Sequence, residues 1–229
     1  MPGYIIHMSA ACELLPLLKQ RGLICGPEEE NAFQVSNLIP DSTEHKSRTH
    51  YRHTDDKAIL MRSPQPWRFQ EAYPQLKDTP CGLGYLYHLY TDQIFYTDYF
   101  NRHVRLADDD LKLQVRKKYM TKVILMDFNR IIPYQYYLEE RPIYDDYTII
   151  NALLEEKYKL NFDFAPVENP GIKEVDYTSI SEIRREILYY SELSRKMTRH
   201  ETTILKPEPL LKFIETLPAR FLSEYIDPQ

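Results

Sequence analysis

Apolar positions recur at three- and four-residue steps over residues 4–20, where Ile5, Ile6, Ala10, Leu14, Leu17 and Leu18 fall on one helical face. Gly22, Gly26 and Pro27 end that pattern, and a second short helix is predicted over 28–36. Pro40 disfavours helical geometry at Ile39, which places Asp41 on a loop. From 42 to 80 the chain is polar, basic and broken by Pro64, Pro66, Pro74 and Pro80, so a long loop is expected there. Pro80-Cys81-Gly82 opens a strong helix predicted over 83–102.

Asp108, Asp109 and Asp110 resemble the acidic first turn of a helix, predicted to run over 108–131 and to stop at Pro133. A tyrosine-rich stretch follows, and Asp145 is expected to cap a helix over 146–158. Residues 160–176 read as irregular. Ser179 with Glu182 has capping-box spacing for a helix over 180–199, and Pro207 or Pro209 opens a last helix to about residue 225. The predicted fold is all-α: one multi-helix domain over 1–229, with a long loop between its second and third helices.

The formal net charge of −5 argues against a dedicated nucleic-acid binder, which carries a basic footprint. Three cysteines without CxxC spacing suit neither a disulfide framework nor a thiolate zinc cluster. No apolar run reaches the length of a membrane span, and no leader pattern is recognisable, so a cytoplasmic location is expected.

His88 and Asp92 stand four residues apart on the third helix, so both can reach one cation. Asp41 and His50 come from the long loop and complete a set of two nitrogen and two oxygen ligands, suited to Zn²⁺ and tolerable for Mn²⁺ or Fe²⁺. His7, on the inward face of the first helix, could join them or hold a second ion. Lys46, Arg48 and Arg52 lie close in sequence to these residues and could neutralise a phosphate. Tyr85, Tyr87, Tyr90, Tyr96 and Tyr99 crowd the ligand-bearing helix and could line a substrate cleft; core packing is the alternative.

The order of an early His7, then Asn37-x-x-Pro40-Asp41, Thr49-His50-Tyr51 and Gly84-Tyr85-x-x-His88-Leu89-x-x-Asp92 resembles the zinc-dependent phospholipase C family. That helical superfamily includes the single-strand-specific zinc nucleases, and the likeness covers roughly residues 1–100. It implies that His7, Asp41, His50, His88 and Asp92 bind metal. It implies a phosphoester hydrolase acting on a small phosphoester or phospholipid-like substrate; by the chemistry of a metal-bound water, Asp41 is then expected to orient or deprotonate that water, and Arg48, close to the ligands in sequence, to meet the phosphate. The family's later His-x-x-x-Glu pair has no counterpart after Asp92, so one or two ions are expected rather than three. The alternative reading is a non-catalytic helical interaction protein with a structural or vestigial metal site.

Overall fold

The computed structural model describes residues 3–43, 45–197 and 200–227. Helix α1 spans Tyr4–Gln20, and α2 spans Pro27–Leu38 with Pro27 at its first turn. A 3₁₀ turn, Ile39–Asp41, follows α2 directly. The predicted long loop contains two short helices, α3 (Lys46–Thr49) and α4 (Pro66–Ala72). Helix α5 runs from Pro80 to Ile94, with the Thr79 hydroxyl accepting from the Gly82 amide. A π-helical turn, Phe95–Tyr99, continues it into α6 (Phe100–His103).

Helix α5 is buried on every side from Gly82 to Asp92, as expected of a central helix rather than a surface one. It packs most extensively on α2, while α1 packs against α2, α5, α8 (Pro142–Tyr158) and α10 (Pro207–Phe221). Gly84 sets the α2–α5 spacing. A Cβ there would lie 2.2 Å from the Phe33 carbonyl oxygen, so only glycine permits this approach. His88 is one turn further along the same face.

The predicted helix over 108–131 does not form. Residues 104–133 instead make an antiparallel meander of β1 (Val104–Ala107), β2 (Lys122–Leu125) and β3 (Arg130–Pro133). The Asp108 carboxylate accepts from the Asp110 and Lys112 amides at 3.1 and 2.9 Å, so the acidic run folds a turn instead of capping a helix. Leu111 and Asn129 both adopt positive φ, at 63° and 47°, which closes the two turns. Val123 and Ile132 face the core in register, an alternation that suits these β-branched residues.

After the meander come α7 (Tyr134–Glu139), α8, α9 (Ile180–Met197) and α10. Two caps differ from expectation. Arg141, not Asp145, precedes α8, whose first turn includes Asp145. Helix α9 is entered through a 3₁₀ turn, Tyr177–Ser179, capped by the Asp176 side chain. Residues 198–199, the end of the helix predicted over 180–199, lie outside the described residues. The stretch 160–176 is irregular, as expected. The protein is thus a mostly helical single domain, with one small sheet that the all-α expectation omitted. Among the described residues no helix is long and apolar enough to cross a membrane.

Candidate metal centre

Four separate segments deliver the five expected ligands to one point. His7 comes from the second turn of α1, Asp41 from the 3₁₀ turn after α2, His50 from the end of α3, and His88 with Asp92 from α5. The side chains of His7, His50, His88 and Asp92 are fully buried, and that of Asp41 is 6% exposed.

His50 Nε2 lies 3.2 Å from His88 Nε2, 3.3 Å from Asp41 Oδ1 and 3.4 Å from Asp92 Oδ2. A tetrahedral zinc site with ligand bonds of about 2.0–2.1 Å has ligand–ligand edges of about 3.3–3.4 Å, and these three contacts, all made by His50, are of about that length. Asp92 turns its other oxygen to His7 Nε2 at 3.4 Å, and the His7 ring stacks on His88 with centroids 3.9 Å apart. Asp92 therefore faces two groups at once: His50 on one side, His7 on the other.

The remaining ring nitrogens are engaged in ways that aim Nε2 inward. His88 Nδ1 is 2.8 Å from the Asn37 carbonyl oxygen, an acceptor only, so Nδ1 carries the hydrogen. His50 Nδ1 lies 2.9 Å from Thr49 Oγ1, whose own hydroxyl points to the Lys46 carbonyl. Asn37 also donates its side-chain amide to the His7 carbonyl at 3.0 Å, tying α2 to α1 beside the cluster. These supporting roles of Asn37 and Thr49 were not foreseen, although each sits within a quoted motif.

Burial holds the His88 pKa well below 6.5, so its imidazole is neutral, as a metal ligand must be. Burial acts to raise the Asp41 pKa, but the hydrogen bond from His50 and the Lys46 ammonium bring it well below the usual carboxylate range. Asp92 is likewise lowered against its burial, chiefly by His7. Both Asp92 oxygens and both His7 ring nitrogens are buried without a hydrogen-bond partner. Leaving such groups unsatisfied is costly, and a cation among them removes that cost. These buried histidine and aspartate groups could hold a metal ion, in two overlapping triads that share His88.

The cluster meets a cleft of about 710 Å³ through Asp41, with Tyr4 and Lys46 beside it. Lys46 Nζ is 2.7 Å from Asp41 Oδ1. Tyr144, Tyr147 and Tyr190 from α8 and α9 line the cleft walls. Tyr85, Tyr87 and Tyr90 lie in the core instead, so among those three the packing alternative holds. Arg48 is exposed on α3 and joins none of the cluster's contacts, whereas Lys46, two residues earlier, faces the cleft. His103 pairs with Asp127 at 2.8 Å, and its ring packs against Tyr99 rather than reaching the cluster. No protein family, curated protein or solved structure matches the chain in comparison.

Proposed function

We propose that the protein is a metal-dependent phosphoester hydrolase of the zinc-dependent phospholipase C type, acting in the cytoplasm on a small phosphoester or phospholipid-like substrate. The convergence of Asp41, His50 and His88 on one point, with His7 and Asp92 on the other side of His88, carries this reading. His7, sharing Asp92, extends the set toward a second ion. When bound, zinc supplies a Lewis acid and activates water at neutral pH.

The chain's own groups do the rest. Asp41 lies between the cluster and the cleft, so its carboxylate is placed to orient a water against a phosphorus atom there. Lys46 supplies a cation at the cleft wall for the phosphoryl oxygens, a role the sequence offers to Lys46, Arg48 and Arg52 alike. Tyr144 and Tyr190 offer hydrogen-bonding tips on apolar rings to the remainder of the substrate.

One observation favours the rival reading of a structural ion in a non-catalytic protein: the near-complete burial of the ligands. A structural zinc site is closed, whereas a catalytic one keeps a position open. The test is metal analysis of protein purified without chelators, together with turnover of bis-p-nitrophenyl phosphate. Bound zinc with turnover that Asp41→Asn abolishes supports the hydrolase. Bound zinc without turnover, and melting that falls on chelation, supports the structural ion. Absence of metal, and no uptake of added Zn²⁺, Mn²⁺ or Fe²⁺, overturns both.

A further inference from the structure

The small sheet turns one face to the core, while the other is partly exposed, with Ala107 buried and Arg105 and Ile131 open to solvent. Directly paired residues share a face, so the pairings Arg105↔Ile124, Ile124↔Ile131 and Ala107↔Lys122 group these side chains on one side. The bridge Ala107↔Leu113 adds Leu113 to that side. Val115 lies two residues further on, at a bend in the chain. Leu113, Val115 and Ile131 are 65%, 67% and 49% exposed. Two large aliphatic side chains on this face, with a third at its edge in sequence, are more than isolated surface residues.

The same segment reverses the charge of the molecule. Between Arg105 and Lys122 there are six lysines and arginines against three aspartates, in a chain of net charge −5. Asp108 and Asp109 accept hydrogen bonds within the segment, from the Lys112 and Asp110 amides and the Thr121 hydroxyl, and Arg116 pairs with Asp56. Lys112, Lys117 and Lys118 are exposed in the same stretch of chain as Leu113 and Val115.

Aliphatic tips within a cationic fringe fit an anionic lipid bilayer, which accepts the former at its interface and attracts the latter at its headgroups. A single-stranded nucleic acid would call for stacking rings at the centre of the face, where there are leucine, valine and isoleucine. A symmetric pairing of two copies through this face would set its cations against each other. We infer that the outer face of the β1–β2–β3 sheet docks the protein on an anionic bilayer, with Leu113 and Val115 entering the interface.

The inference is independent of the hydrolase reading, because binding is measured without turnover. The full chain is sedimented with vesicles of phosphatidylcholine alone or mixed with phosphatidylglycerol, at low and high salt. Binding is expected only to the mixed vesicles and to weaken with salt. The Leu113→Ser/Val115→Ser and Lys117→Glu/Lys118→Glu variants are each expected to lower it by about tenfold or more. Both pairs are exposed, so unchanged circular dichroism is expected, and either variant suffices if the other does not fold. No binding to the mixed vesicles, or equal binding by a folded variant, overturns the inference. So does a dimer that the Leu113→Ser/Val115→Ser variant dissociates, or tighter binding to single-stranded DNA than to lipid.

Discussion

His50 Nε2 and His88 Nε2 face each other across 3.2 Å, with the opposite ring nitrogen of each engaged outside the cluster. With the hydrogen of His88 on Nδ1, its Nε2 lone pair points into a gap shared with His50 Nε2 and the Asp41 and Asp92 carboxylates, a set of donor atoms that suits a cation. Zn²⁺ is therefore expected to bind the wild-type protein, and His88→Ala to abolish that binding. Substituting Co²⁺ checks the geometry directly. A tetrahedral site gives intense visible bands, and six-coordinate spectra would contradict the spacing argument.

Thr49 touches no ion in this scheme but fixes the ring of His50. Removing its oxygen in Thr49→Val is expected to weaken zinc affinity by roughly 10–100-fold, the usual effect of losing a partner behind a metal-bound histidine. Thr49→Ser keeps the oxygen and is expected to restore most of the affinity. Competition with a chromophoric chelator reads both variants. Equal affinity in Thr49→Val would show that the contact is incidental.

The backbone approach at Gly84 has a mechanical cost when altered. In Gly84→Ala the new methyl group meets the Phe33 carbonyl, and α2 must move away from α5. A loss of about 1–3 kcal/mol or more is expected, as for overpacking elsewhere in protein cores. Urea denaturation measures it. Zinc affinity is expected to fall with it, because Asn37 and His88 sit on the two helices being separated.

Metal-free protein is expected to lose stability on acidification. Folded His88 stays neutral well below pH 6.5, whereas the unfolded chain binds that proton near pH 6.5. The unfolded state thus holds more protons, and stability falls as pH drops below that value, by up to about 1.4 kcal/mol per pH unit for one such group. The depressed pKa of Asp41 acts in the same direction at lower pH: its contribution is present above the unfolded carboxylate pKa and is lost as pH falls through the folded one. Urea midpoints across this range, compared with those of His88→Gln, check the first effect. An equally steep slope in the variant would assign it elsewhere.

The helices around the cluster were legible because their patterns are long. Helix α1 matches its predicted span, and α5 begins three residues before the prediction, at the proline that marks it. The ligand types were legible as well, because His88 and Asp92 need only helical spacing to share a face. The meander was not. Its strands are four residues each, too short for alternation to outweigh an acidic run that also suits a helix start. What distinguished the two was the side-chain turn at Asp108, a local bond that leaves no periodicity. The cleft was illegible for a different reason: Tyr4, Tyr144 and Tyr190 meet only through the packing of α1, α8 and α9, which no local pattern encodes.

The depth of the cluster bears on time as well as energy. With four of the five candidate ligand side chains at no exposure, an ion held among them would leave chiefly when the surrounding packing opens, so its exchange would follow local unfolding rather than diffusion. Affinity order among divalent ions would then matter less than which ion is present while the chain closes. The metal content of such a site would be a record of the conditions under which the protein folded, retained after those conditions have changed.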